Sequence, residues 1–184
     1  MTLEDLLRRL VPVLERIKIP YMLTGSVASS AHGLPRSTRD LDIVIAPTRE
    51  QLLTLMREFP SSDYYADEQQ ALEALMRRSQ FNIIDHATGW KVDFIIAEDS
   101  EYSRVALTRR KAIDMAGSAV YVASAEDVLI AKLRWARMGG SERQMQDAAG
   151  IVSTQAENLD VAYVENWVRK LSLEEQWCAV REKE

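Results

Sequence analysis

The chain contains one cysteine, two histidines and no long apolar run, and each shortage removes a class of protein. A lone Cys178 cannot close an internal disulfide, and in its helical-looking setting it reads as a small packed residue. His32 and His86, with one thiol, supply no His/Cys set of the kind that holds zinc. A membrane-spanning helix needs about 18 or more apolar residues in a row, and none occurs. No apolar stretch follows a basic N-terminus, so no secretory leader is expected and the expected compartment is the cytoplasm. A basic surplus is also missing: 23 Lys and Arg stand against 28 Asp and Glu, a net charge of −5. Extensive DNA or RNA binding is therefore not expected. The short basic runs Arg77-Arg78 and Arg109-Arg110-Lys111 read most simply as solvated faces.

What is present suffices for one domain with a sizeable core, or one domain with a helical appendage: 184 residues, 47% apolar and 28% charged. Leu3, Leu6, Leu7, Leu10, Val13, Leu14 and Ile17 recur at helical spacing behind a Thr2 cap, and Pro20 closes that unit. A strand is expected over 21–24, a small-residue helix over 26–32 ending at Gly33, a loop over 34–39, a strand over 40–46 and a Thr48-capped helix over 49–58. Residues 60–66 read as polar loop and 67–78 as helix. Strands over 80–86 and 90–97 flank Thr88-Gly89, a hairpin signal, and 111–123 suggests a second hairpin around Ala116-Gly117-Ser118. Helices are then expected over 125–138, 142–154, 161–171 and 173–182. The expected division is an α/β core over 1–123 and a helical region over 124–184 packed on it. Trp135, Trp167 and Trp177 read as core anchors of that helical region, ahead of an oligomerisation surface.

The most informative stretch is residues 25–43, GSVASSAHGLPRSTRDLDI. Side chains alternate along a strand, so Asp40, Asp42 and Val44 share one face while Leu41, Ile43 and Ile45 share the other. Two carboxylates side by side on a sheet repel unless a cation sits with them, and hard oxygen donors suit Mg²⁺. A third carboxylate is sought on a neighbouring strand. In WKVDFII, Lys91, Asp93 and Ile95 share a face, and Asp93 is costly to bury unless bound or paired. Asp85, beside His86 at a strand end, is the poorer choice. Gly25 allows close backbone approach, and Ser26 at a helix N-terminus can meet an anion, cap its helix, or both. Arg36 and Arg39 flank the aspartates and can neutralise phosphate or pair with Asp40. Glu126 and Asp127 favour their own helix N-terminus.

The segment resembles the signature of the nucleotidyltransferase superfamily that includes DNA polymerase beta: an apolar strand, Gly-Ser, a short helix, then Asp-x-Asp on the next strand. Its Arg-x-Thr-x-Asp-x-Asp variant is matched by Arg36, Thr38, Asp40 and Asp42, most closely as in the abortive-infection nucleotidyltransferase toxins and their relatives. The strong match covers about residues 21–46, with weaker echoes to about residue 150. The resemblance implies a palm with a mixed sheet flanked by helices, followed by a C-terminal helical bundle. It implies two Mg²⁺ ions, or Mn²⁺ in their place, on Asp40, Asp42 and Asp93, with nucleotide contacts from Gly25, Ser26, Arg36 and Thr38. SAEDVLIAKLRWAR and SERQMQDAAGI match further family segments, which assigns Lys132 to the nucleotide phosphates and Asp147 to the neighbourhood of the site, behind Arg143.

The activity so implied is transfer of a nucleoside monophosphate from an NTP to an acceptor hydroxyl, on tRNA, protein or a small molecule, with release of pyrophosphate. A toxin role with an antitoxin partner follows from the resemblance alone. The alternative is a catalytically silent nucleotide- or protein-binding module on the same fold, which retention of all three aspartates disfavours.

Overall fold

The computed structural model describes residues 2–115 and 117–182, and the chain divides into two compact units, Met1–Leu23 with Thr38–Val122 and Thr24–Ser37 with Ala123–Glu184. The second unit thus joins the segment after the first strand to the C-terminal helices.

The first unit is built on a seven-stranded mixed sheet. Its strands are β1 (Tyr21–Leu23), β2 (Asp40–Ile45), β3 (Tyr64–Ala66), β4 (Gln80–Asp85), β5 (Lys91–Ile96), β6 (Lys111–Met115) and β7 (Ser118–Val122), in the order β3-β4-β5-β2-β1-β7-β6. The pairs β2/β5 and β1/β7 are parallel and the others antiparallel. Alternation holds as expected. Leu41, Ile43, Ile45, Val92, Phe94 and Ile96 are buried on one face, and Phe81 stacks on Phe94 with ring centroids 5.1 Å apart.

The helices of this unit are α1 (Leu3–Ile17), α3 (Arg49–Arg57), α4 (Glu68–Arg77) and α5 (Glu101–Arg109). Thr2 and Asp5 form a capping box at the start of α1, and Lys18 ends it in the left-handed region. Thr48 and Gln51 form a second box, and the Gln51 amide also donates to the carbonyls of Ile17 and Lys18, tying α3 to the end of α1. Two elements were not expected from the sequence. The polar stretch 60–66 contains β3, and α5 occupies a segment for which no element was expected. Each offers little amphipathic signal: β3 buries only Tyr64, and α5 only Tyr102 and Ala106. Of the second hairpin turn, Ala116 lies outside the described residues, and the Gly117 amide donates to Asp114 at 2.8 Å.

The second unit is helical, with α2 (Gly25–His32), α6 (Ala125–Gly139), α7 (Glu142–Gln155), α8 (Val161–Lys170) and α9 (Glu174–Arg181). The α6 helix packs against each of the other four. Its buried face includes Leu129, Ile130 and Leu133, and also Glu126, Asp127 and Lys132. Ser124 caps α6 and hydrogen-bonds Asp127 at 2.9 Å, and the Tyr163 hydroxyl donates to the other Asp127 oxygen at 2.8 Å. Glu126 accepts from the Asp160 amide at 3.1 Å. These two acids therefore serve as buried acceptors as well as helix-start charges. Trp167 and Trp177 are buried as expected, but Trp135 is exposed. Cys178 is also exposed, not packed, because α9 turns Trp177 and Val180 inward and leaves position 178 on its outer side.

Candidate functional site

In the first unit, β2 and β5 run parallel with Asp40 opposite Lys91 and Asp42 opposite Asp93. Paired residues in a parallel ladder project to the same face, so the register sets all three aspartates and Lys91 on one side of the sheet. Asn82 on β4 lies opposite Asp93 on the other flank. Of the two acids that pair with Lys91, Asp93 is the more enclosed, its side chain 13% accessible against 55% for Asp40. The Lys91 ammonium lies 2.8 Å from Asp93 Oδ2 and 3.7 Å from Asp40 Oδ1. Its hydrogen bond to Asp93 holds its pKa above the usual lysine value, with the charges of Asp93, Asp40 and Asp42 adding to the effect against partial burial. Thr38 is occupied locally: its hydroxyl accepts from the Asp40 amide at 3.1 Å and so fixes the backbone entering β2.

Three oxygen donors on one face have the right chemistry for a hard divalent cation. Among the described residues, however, no three His, Cys, Asp or Glu side chains converge on a single point that would hold a metal. A lysine ammonium lies against two of the carboxylates. The donor set suits Mg²⁺ in chemical type, and the three acids share one sheet face.

In the second unit, Gly25 opens α2 at φ +61°, a conformation that a side chain disfavours. Ser26 does not cap the helix. Its Oγ accepts from Arg36 Nη2. Arg36 Nε donates to Asp147 Oδ1 at 3.2 Å, and the Lys132 ammonium meets Asp147 Oδ2 at 2.8 Å. Asp147 thus divides its two oxygens between two cations 15 and 111 residues away. The Arg36 Nη1 group is buried and has no hydrogen-bond partner among the described residues. Ser26, Arg36, Lys132 and Asp147, assigned separately from the sequence, form this one cluster. Arg39 is exposed. His32 is structural: its Nε2 lies 2.8 Å from the Ala123 carbonyl, and its own carbonyl accepts from Gln155.

Asp85 is set apart from the three aspartates. It lies on the opposite sheet face, accepts from the Thr88 amide and hydroxyl at 2.9 Å, and pairs with Arg9 at 3.7 Å. A cavity of about 300 Å³ opens beside it under α1, lined by Leu6, Leu10, Tyr64, Trp90 and Val92 among others. That cavity is a feature of the apolar face and has no part in the carboxylate cluster. Sequence reasoning placed Lys91 on the carboxylate face but gave it no role, and it missed Asn82. The i, i+2 spacing of Lys91 and Asp93 was the available signal.

No protein-family model matches the chain, and no curated protein sequence does. Solved structures do match. The antibiotic-resistance factor ANT(2'')-Ia in solution superposes with a TM-score of 0.54 at 13% identity, over 96% of this chain and 97% of that one. The lincosamide antibiotic adenylyltransferase LnuA, solved with lincomycin bound, gives 0.56 at 12% identity, over 84% and 98%. An antigenic nucleotidyltransferase-like protein from Paracoccidioides brasiliensis gives 0.54 at 18%, over 94% and 90%. The chain has the nucleotidyltransferase fold.

Proposed function

We propose that this chain is a Mg²⁺-dependent nucleotidyltransferase that moves a nucleoside monophosphate from an NTP to an acceptor hydroxyl and releases pyrophosphate. The observation that carries the reading is the parallel register of β2 and β5, which sets Asp42 directly beside Asp93 on the face that also bears Asp40. Asp40, Asp42 and Asp93 would hold the metal. When bound, Mg²⁺ supplies positive charge to the triphosphate and the reacting oxygens. Gly25 would let the backbone approach the triphosphate closely, and Ser26, Arg36 and Lys132 would be its donors. The unpartnered Arg36 Nη1 supports that assignment, because a buried N–H without an acceptor is costly and a phosphate oxygen would satisfy it. Asp147 orients both cations. Asp93, the more enclosed of the two acids that pair with Lys91, would accept the proton of the acceptor hydroxyl. The rest of the chain's contribution is positioning and fixed charge.

A small-molecule acceptor is favoured over tRNA or protein. A further structure of ANT(2'')-Ia, which superposes at a TM-score of 0.54 and 12% identity over 100% of this chain, holds adenylyl-2''-tobramycin, and LnuA holds lincomycin. With a net charge of −5, the chain suits a cationic acceptor better than nucleic acid. A toxin role with an antitoxin partner rests on the motif resemblance only.

Calorimetric titration of each of the four NTPs, with and without Mg²⁺, tests the reading on wild type and on Asp42→Asn. Binding that needs both the metal and Asp42, with pyrophosphate release lowered on the order of a hundredfold or more in the variant, supports it. Metal-independent binding, or turnover that survives Asp42→Asn in a folded protein, points instead to a silent binding module.

A further inference from the structure

We infer that Lys91 is the resident cation of the carboxylate face: its ammonium holds Asp93 and Asp40 while no metal is bound, and a divalent ion loads by displacing it from Asp93. The inference rests on the reading of this face as the metal site. Three features carry it. The ammonium lies between two of the three aspartates, at 2.8 and 3.7 Å, where it answers the repulsion that adjacent carboxylates would otherwise suffer. The register also sets Asp42 beside Asp93 on this face, so hard oxygen donors stay aligned for a divalent ion. The lysine itself is able to leave. Its side chain is 35% exposed against 13% for Asp93, and it ends a flexible four-carbon stem. The enclosed partner is thus the carboxylate, and the mobile partner is the amine.

The consequence is a competition inside one strand. Lys91 and Asp93 are two residues apart on the same face of β5, so the amine cannot drift far from the site it vacates. Lys91 therefore positions Asp93 before loading and lowers the affinity for the incoming ion. A neutral side chain of similar length removes the competitor and leaves the aspartates in place.

Mn²⁺ is the probe, followed by its electron paramagnetic resonance signal on the full chain, in wild type, Lys91→Met, Lys91→Arg and Asp42→Asn. Lys91→Met is expected to bind Mn²⁺ about tenfold more tightly than wild type, as loss of one adjacent positive charge requires, and Lys91→Arg no more tightly. In wild type, acetic anhydride labelling of Lys91, read by mass spectrometry, should rise when Mn²⁺ saturates the protein and stay flat in Asp42→Asn. Binding that depends on Asp42 but is equal or weaker in Lys91→Met, or labelling unchanged by Mn²⁺, overturns the role of Lys91 alone. Binding that is absent, or indifferent to Asp42, overturns the metal reading and this inference with it. The labelling arm uses the native side chain, so it decides the matter even where the methionine variant folds poorly.

Discussion

The Asp147 cluster makes a demanding stability prediction. The Lys132 side chain is 4% exposed and that of Asp147 10%, with 2.8 Å between nitrogen and oxygen. Asp147→Asn keeps the shape and removes the charge that an enclosed ammonium meets at 2.8 Å. Removing one partner of a buried pair costs about 3–5 kcal/mol. Arg36 adds less, because it is more exposed and keeps Ser26. The expected loss is therefore about 3–5 kcal/mol, a large part of the roughly 5–15 kcal/mol of a typical domain. Urea unfolding reads it as a midpoint shift of about 1.5–2.5 M at a slope near 2 kcal/mol/M. In a double-mutant cycle with Lys132→Met, the coupling should be at least about 2 kcal/mol. A loss below about 1 kcal/mol, or additive single variants, would refute the claim that this pair is buried and mutually dependent. Pyrophosphate should also raise the stability of Asp147→Asn, since an anion would replace the charge that Asp147 supplied to Lys132 and Arg36.

Other perturbations test separate parts of the structure. A Cβ at Gly33 would lie 3.0 Å from the Ile151 amide nitrogen and 3.1 Å from the Gly150 carbonyl carbon, backbone atoms that cannot rotate away. Gly33→Ala should cost about 1–3 kcal/mol and lower the melting temperature by about 3–10 °C; an unchanged melting curve would show that α2 and α7 give way freely. The Tyr21 phenol is buried, and burial pushes its pKa up to about 12 from 10.0. The folded state then holds a proton that the unfolded state releases above about pH 10, so stability falls between about pH 10 and 12. Tyr21→Phe should flatten that part of the profile in urea titrations across this range. A variant as alkali-sensitive as wild type would place the loss elsewhere.

Much of this architecture is legible locally. The alternation in DLDIVI and KVDFII sorts the aspartates from the apolar residues within each segment, because a strand's two faces are written in odd and even positions. Caps at Thr2, Thr48 and Ser124 mark helix starts for the same local reason. The pairing of β2 with β5 is not local. It joins segments about fifty residues apart, and only the fold sets Asp42 against Asp93 and Asp40 against Lys91. Tryptophan content alone does not say which face of α6 or α9 turns inward, so Trp135 and Cys178 came out exposed. The link from Arg36 to Asp147 spans 111 residues, and no spacing rule reaches that far.

The two clusters share a physical principle that bears on how each would take a charged ligand. In each, an enclosed carboxylate already has its cation: Asp93 has Lys91, and Asp147 has Lys132 and Arg36. Neither cluster offers a bare charge, which would be expensive to keep in a partly dry setting. On the proposed reading, binding is then an exchange of partners. Metal takes Asp93 from an amine, and phosphate draws on Lys132 and Arg36 while Asp147 keeps them oriented. Exchange returns less free energy than first contact, since each new ion pair replaces an old one. Inorganic pyrophosphate should therefore bind Asp147→Asn more tightly than wild type, because the carboxylate that shares Lys132 and Arg36 is then neutral. Equal affinity of the two proteins, measured by calorimetry, would refute the exchange picture.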